Sequence, residues 1–311
     1  MKIVFLDEYT LGGTDLNPIK RLGEYTGYNS TQPGEVIQRA AEAEILIVNK
    51  IVIDEQTMAA LPSLRLICVA ATGTNNIDLA AAARRGIEVR NAVGYSTHTV
   101  VEATIGAALG LLRQIVYYDD YCHSGRYSAS GSWVNFDRPT HSLHGRHWGI
   151  IGMGNIGREV ASVAEAMGCE VAFTSASGTH RQSEKWPQLS LSELLLWADV
   201  LSVHSPLTDL TRGLLGRNEI GLMRPSSIVI NVARGVIVDE QAVADALNAN
   251  RLAGAAFDVY PTEPMSADSP LLTVADRYKL LLSPHNAWSA VESIEALVEC
   301  IVRNISDFRK I

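Results

Sequence analysis

Cysteine is scarce and unpaired in this chain. Its 311 residues hold four, Cys68, Cys122, Cys169 and Cys300, far apart and without a C-x-x-C pair. Such spacing offers neither a zinc site nor a redox motif and reads as buried, reduced thiols. Basic charge is also short: 26 Lys and Arg stand against 34 Asp and Glu, for a net charge of -8, and no run of five basic residues occurs. Nucleic acid and anionic membrane are therefore excluded as expected partners. No apolar stretch approaches the roughly 18 residues that span a bilayer. The opening Met1 to Leu6 is too short for a signal h-region before it meets Asp7 and Glu8. These absences point to a cytoplasmic protein.

What is present is apolar: 47% hydrophobic against 19% charged residues, enough to build a large core rather than a disordered chain. A chain of this length exceeds the size at which single cores usually stop growing, so two domains are expected. Strand-like runs at Ile3 to Leu6, Ile45 to Val48, Leu66 to Ala70 and Ile87 to Val89 alternate with helical segments such as Glu35 to Ala43 and Asp78 to Arg85. That alternation predicts a parallel sheet covered on both faces. From His98 to Tyr121 the apolar spacing predicts one long buried helix that bridges the domains. After a loop from Ser124 to His147, six further strands are expected near Trp148 to Gly152, Val171 to Thr174, Val200 to His204, Ile228 to Val232, Gly254 to Val259 and Lys279 to Ser283. The last segment, Ala290 to Ile311, is helical by spacing and too short to stand alone; we expect it to return to the first domain. The loop carries Trp133 and Phe136 among few charges and reads as a dimerisation arm, so a homodimer is expected.

The first chemical signal is Gly152-Met153-Gly154-Asn155-Ile156-Gly157, directly behind the apolar run His147 to Ile151. Strand, G-x-G-x-x-G and helix in succession form the fingerprint of a dinucleotide site, where backbone N–H groups at the helix start face a pyrophosphate. In the NAD version an acid ends the second strand about 20 residues on and binds the ribose 2′-hydroxyl. Here the chain reads Phe173-Thr174-Ser175-Ala176-Ser177-Gly178-Thr179-His180-Arg181, without an acid. A carboxylate would repel a 2′-phosphate, whereas Ser175, Ser177, Thr179 and Arg181 can donate to one, which favours NADP(H) over NAD(H).

Three more words follow apolar strands: Asn231-Val232-Ala233-Arg234-Gly235, then Phe257 to Pro264, then Ser283-Pro284-His285-Asn286-Ala287-Trp288. Carboxyl ends of strands line the ligand crevice in open α/β sheets, so Arg234, Glu263 and His285 can converge there. A lone arginine after a strand is usually a surface charge, and a lone histidine a satisfied core group. Together at successive strand ends they suit keto-acid reduction. Arg234 would hold a carboxylate or polarise a carbonyl, His285 would deliver a proton to the oxygen, and Glu263 would favour the charged imidazolium.

The glycine turn and these three words, in this order and spacing, resemble the D-isomer-specific 2-hydroxyacid dehydrogenases over essentially the whole chain. Ala287-Trp288 after the histidine, and Ala71-Thr72-Gly73 before Asn75-Asn76-Ile77-Asp78, resemble the glycerate dehydrogenases, or hydroxypyruvate reductases, within that family. The resemblance implies an α/β fold: a Rossmann-type doubly wound parallel sheet plus a flavodoxin-like α/β substrate (lid) domain. Residues 1–97 with 289–311 would form the substrate domain, and 98–288 the NAD(P)-binding domain with the bridging helix and loop 124–147. It further implies that Arg234 binds substrate, His285 is the acid/base and Glu263 its paired carboxylate. Asp258 would hold the nicotinamide amide, with Val232 and Ala233 beside that ring. Thr72 and Gly73 would receive the substrate carboxylate on backbone N–H groups, and Thr97, His204, Ser205 and Pro206 would touch the cofactor.

His141, His144 and His147 recur at three-residue spacing, yet no acidic or cysteine partner adjoins them and hydride transfer with an arginine and a histidine requires no metal; none is expected. The expected reaction is NAD(P)H-dependent reduction of a small 2-keto acid of the hydroxypyruvate or glyoxylate type. The runner-up readings are a nucleotide-sensing scaffold of the same fold and a phosphoglycerate- or phosphite-type dehydrogenase.

Overall fold

A computed structural model of the chain describes residues 1–175 and 185–310. It divides into two compact units, Met1–Ser96 with Ser289–Ile311, and Thr97–Trp288. Ser177, Thr179 and Arg181, offered above as phosphate donors, lie outside the described residues.

The first unit holds five parallel strands, β1 (Lys2–Phe5), β2 (Glu24–Gly27), β3 (Ile45–Val48), β4 (Leu66–Val69) and β5 (Glu88–Asn91), in the order β2-β1-β3-β4-β5. This is the flavodoxin-like progression. Every residue of β3 and β4 is buried, as expected of central parallel strands covered on both faces. β2 escaped the sequence reading because Glu24-Tyr25-Thr26-Gly27 is a largely exposed edge strand with no apolar run. The helix Val291–Phe308 belongs to this unit and buries Leu297, Val298, Ile301 and Ile305, one stripe at helical spacing. Two hydrogen bonds fasten it to β5: Arg90 Nη1 donates to Asn304 O at 2.8 Å, and Asn304 Nδ2 to Asn91 O at 3.1 Å.

Among its described residues the second unit holds six parallel strands, β6 (His147–Ile151), β7 (Glu170–Thr174), β8 (Val200–Val203), β9 (Ile228–Asn231), β10 (Gly254–Phe257) and β11 (Leu280–Leu282), in the order β11-β10-β9-β8-β6-β7. A single parallel bridge from Phe173 to Gln188 extends the sheet past β7. With Gln188 as a rudimentary third strand, the order is the Rossmann progression, reversing between β6 and β8. Successive residues feed opposite faces: Trp148, Ile150, Val200, Ile228 and Ile230 pack with the helices Thr97–Leu112 and Asn155–Ala166, whereas Ile151, Leu201, Val203 and Val229 pack with Leu191–Trp197 and Glu240–Asn248. Two layers of helix thus sandwich the sheet.

The single long helix expected from His98 to Tyr121 is two helices, Thr97–Leu112 and Ile115–His123, bent by 63°. Gln114 stops the first with a left-handed backbone, φ 54°, while its Nε2 donates to Leu111 O at 2.7 Å. Apolar spacing continues through Ile115 and Val116 but leaves both exposed, so periodicity alone could not reveal the break. Among the described residues no single helix is long and apolar enough to cross a membrane.

Candidate functional site

At the end of β6 the three turn glycines do different things. Gly152 has φ 96°, a conformation costly for any other residue, and a Cβ there would lie 2.8 Å from Ser205 N. A Cβ on Gly157 would overlap the Gly152 carbonyl oxygen, so this glycine lets the helix Asn155–Ala166 sit on the turn. Gly154 has an ordinary φ of −84°, and a Cβ there would meet nothing within 4 Å. It is exposed, as is Asn155, and the helix start has no side-chain cap. An open cradle before uncapped N–H groups fits a pyrophosphate.

Across the switch point, His204 N donates to Ile151 O at 2.8 Å and Ser205 Oγ to the same oxygen at 3.1 Å, which locks the end of β8 against the turn. Pro206 follows, exposed. His204 Nε2 meets Ser202 Oγ at 3.0 Å, whereas its buried Nδ1 has no hydrogen-bond partner among the described residues. Burial pushes the ring's pKa down to about 3, so it is neutral. Thr97 opens its helix at the start of this unit, and Ser175 directly follows β7, half-buried.

The loops after β9, β10 and β11 are joined to one another. Asn231 is fully buried; its Oδ1 accepts from Ala233 N at 3.1 Å and its Nδ2 donates to Arg234 O at 3.0 Å, which shapes Val232 to Arg234. Gly235 packs so closely on the Tyr260–Pro261 peptide that a Cβ would overlap it. Asp258, 4% exposed, accepts from Ser283 Oγ at 2.6 Å, Asn286 N at 2.9 Å and Ala287 N at 3.0 Å. Tyr260, whose hydroxyl burial pushes up to about 12 and keeps protonated, donates to Ser283 O at 2.9 Å.

Glu263 and His285 meet in this framework. Glu263 Oε1 accepts from Tyr260 N at 3.1 Å, and Oε2 lies 2.6 Å from His285 Nδ1. A carboxylate only accepts, so Nδ1 carries a proton and Nε2 is left for a reactant. His285 itself has φ 54°, a left-handed backbone unusual for a non-glycine residue. Trp288 Nε1 donates to His285 O at 2.9 Å. Arg234 Nη1 donates to Ala233 O at 2.6 Å, so its guanidinium is turned along its own loop.

In the first unit, Thr72 and Gly73 follow β4. Thr72 Oγ1 donates to Ala92 O at 2.9 Å, and Asn91 Nδ2 donates to Thr72 O at 2.6 Å, which ties this loop to the end of β5. A group not singled out from sequence stands nearby in topology: Asp7, after β1, accepts from Asn49 N at 3.0 Å and Lys50 N at 2.6 Å after β3. These are the carboxyl ends between which this sheet's order reverses. Asn49 is 4% exposed, and its Nδ2 lacks a partner among the described residues. Lone polar residues after strands carried no sequence signal.

No three metal-ligating side chains among the described residues are grouped to hold an ion. His147 stacks on Trp197 at 4.3 Å, and its Nδ1 lies 3.0 Å from Trp197 O; a Cβ on Gly168 would press into the His144 ring; His141 N donates to Leu112 O. All four cysteines are free, but only Cys68 and Cys169 are buried: Cys300 is half-buried, and Cys122 is exposed because it lies on the outer face of the bent helix Ile115–His123.

The model of the NAD-binding domain of the D-isomer specific 2-hydroxyacid dehydrogenases matches residues 105–287. The chain is 38% identical to a glycerate dehydrogenase of Methylorubrum extorquens over 312 residues, 99% of this chain and 96% of that one. It is 33% identical to a hydroxypyruvate reductase of Blautia hydrogenotrophica over 316 residues, 100% and 97% of the two chains. Among solved structures, an NADPH-dependent glyoxylate/hydroxypyruvate reductase of Sinorhizobium meliloti in complex with NADP and malonate matches with TM-score 0.86 at 27% identity, covering 99% of this chain and 93% of that one. Glycine turn, strand-end words and whole-chain similarity agree: the chain belongs to the D-isomer specific 2-hydroxyacid dehydrogenases, oxidoreductases that use a nicotinamide cofactor.

Proposed function

We propose that the protein reduces a small 2-keto acid of the hydroxypyruvate or glyoxylate type to the D-2-hydroxy acid, with NADP(H) favoured over NAD(H). The observation that carries this reading is the Glu263–His285 pair, 2.6 Å apart, on the sheet whose β6 turn fits a dinucleotide. A bound reduced nicotinamide supplies the hydride. As the carbonyl oxygen gains charge, His285 Nε2 gives it a proton, and Glu263 holds Nδ1–H and stabilises the ring before the transfer. Arg234 presents a fork of donors to the substrate carboxylate or carbonyl. Thr72 and Gly73 contribute backbone N–H groups to the carboxylate.

Gly152, Gly154, Asn155, Ile156 and Gly157 form the pyrophosphate cradle, with Thr97, His204, Ser205 and Pro206 as further contacts. Val232 and Ala233 flank the nicotinamide. Asp258 Oδ2 accepts from Ala287 N and keeps capacity for the carboxamide N–H. Ser175 in place of an acid supports the NADP(H) preference. Trp133 and Phe136, 93% and 87% exposed, support a homodimer formed through loop 124–147.

The test compares kcat/KM for hydroxypyruvate, glyoxylate and pyruvate with each cofactor, since specificity is a ratio of such values. Turnover of hydroxypyruvate or glyoxylate with NADPH, tenfold or more over NADH, is expected. No oxidation of either cofactor with any small 2-keto acid would overturn the activity, and a tenfold NADH preference would overturn the cofactor assignment alone.

A further inference from the structure

Two buried polar side chains and a half-buried histidine interrupt an otherwise apolar face of the second sheet. Trp148 on β6 and Ser202 on β8 are both fully buried, and β6 and β8 are paired with Trp148 opposite Val200 and Ile150 opposite Ser202. Val200, Ser202 and His204 alternate onto the face that carries Trp148 and Ile150. The helix Asn155–Ala166 packs on this same face through Val160, Ala161 and Ala164. His204 is therefore the end of a polar line that runs up the sheet towards the open turn at Gly154.

The direction of that line follows from donor and acceptor chemistry. Indole Nε1–H only donates, and it reaches Ser202 Oγ at 2.9 Å. Among the described residues, the other partner of Ser202 Oγ is His204 Nε2 at 3.0 Å. The serine O–H finds an acceptor only if its proton goes to Nε2; that arrangement makes Nε2 an acceptor and puts the proton of the neutral ring on Nδ1. That N–H is then one of the buried polar atoms without a partner among the described residues. A buried orphan donor is costly and calls for a reason.

We propose that Trp148 and Ser202 are positioning residues that fix His204 as the Nδ1–H tautomer, so that it offers a neutral donor to an acceptor oxygen of the bound dinucleotide. The inference rests on the reading of the β6 turn as the cofactor site. A chain of three donors pointing one way completes its last bond only when a ligand supplies an oxygen. The described residues of the protein leave that donor unsatisfied, and binding satisfies it.

The experiment uses the full chain with ring-labelled histidine, His204 being assigned by its loss in His204→Leu. Long-range nitrogen–proton spectra should show Nδ1 protonated and Nε2 bare in the free protein, and the Nδ1 proton should move downfield when NADPH or NADH is added. Cofactor titrations by nucleotide fluorescence should show about three- to tenfold weaker binding for His204→Leu and Ser202→Ala, the range of one neutral hydrogen bond. His204→Asn, which can place an amide N–H where Nδ1–H stood, should recover most of the loss. A protonated Nε2 in the wild type, an unmoved Nδ1 proton on binding, or unchanged affinity in His204→Leu would each overturn the proposal. If Ser202→Ala fails to fold, the wild-type spectra and the His204 pair still decide. Wild-type protein that binds neither cofactor would instead refute the cofactor site itself.

Discussion

Replacing each turn glycine by alanine separates folding from cofactor binding. At Gly152, φ of 96° costs an alanine about 1–2 kcal/mol. A Cβ 2.8 Å from Ser205 N adds overpacking of about 1–3 kcal/mol. The sum, about 2–5 kcal/mol, should lower Tm by about 4–20 °C for a unit of this size. At Gly157 the helix would gain about 1 kcal/mol from alanine, but the overlap lies on a rigid backbone carbonyl that cannot swing away, and destabilisation should win. Gly154→Ala meets nothing within 4 Å and keeps an allowed backbone. As a helix cap alanine is poorer than glycine, so the change should cost about 0.5–1 kcal/mol, within about 4 °C in Tm. Its methyl group, however, would stand where the proposed pyrophosphate cradle needs close approach to the backbone. Lost charge-assisted bonds of about 1.5–3 kcal/mol predict affinity reduced about 10- to 150-fold. Differential scanning fluorimetry and a fluorescence titration with NADPH read the two quantities separately. Gly154→Ala that binds both cofactors normally, or that melts as early as Gly152→Ala, would refute the division of roles.

Further outcomes follow from the same geometry. His285→Ala should lower kcat about 10²- to 10⁴-fold with cofactor affinity unchanged, the signature of a lost acid; a nucleotide sensor would be indifferent to it. Glu263→Gln keeps a carbonyl for Tyr260 N or His285 Nδ1 but removes the charge, so kcat/KM should fall about 10- to 100-fold with Tm nearly constant, measured by steady-state kinetics and melting. Ser175→Asp should shift the ratio of kcat/KM values towards NADH by tenfold or more, and an unchanged ratio would show that Ser175 does not face the ribose. Trp133→Ala with Phe136→Ala should convert a dimer into a monomer by light scattering; a monomeric wild type would remove the role proposed for the loop.

Central strands were legible because burial on both faces writes itself as apolar runs, as in Ile45 to Val48 and Ile228 to Ile230. The edge strand Glu24–Gly27 was not, since one side of its pairing and most of its surface face water. The bend at Gln114 was invisible for a different reason: a left-handed residue breaks a helix without interrupting the apolar period on either side. In the site, residues with distinctive chemistry after strands stood out, including Arg234, Glu263 and His285. Asn49 and Ser202 did not, because an amide or hydroxyl inside an apolar run looks like tolerated noise until its partners are known.

The three strand-end words are best understood as contacts with one another. Gly235 of the first word is a glycine because the Tyr260–Pro261 peptide of the second fills the space of its Cβ. Tyr260 and Asp258 of the second hold Ser283, Asn286 and Ala287 of the third. Trp288 closes the third word on itself through His285 O. Between these anchors His285 keeps φ of 54°, a conformation that costs about 1–3 kcal/mol and persists only where surroundings over-determine it. Residues on both sides of the strained one are fixed, so the strain cannot relax by moving the loop. Its result is an imidazole whose Nδ1 is committed to Glu263 and whose Nε2 has a defined direction. In the proton-donor role proposed for it, His285 would have to hold its geometry to a fraction of an ångström before substrate arrives. The words that make the chain recognisable are therefore chiefly the scaffold that holds one histidine in a conformation it would not choose.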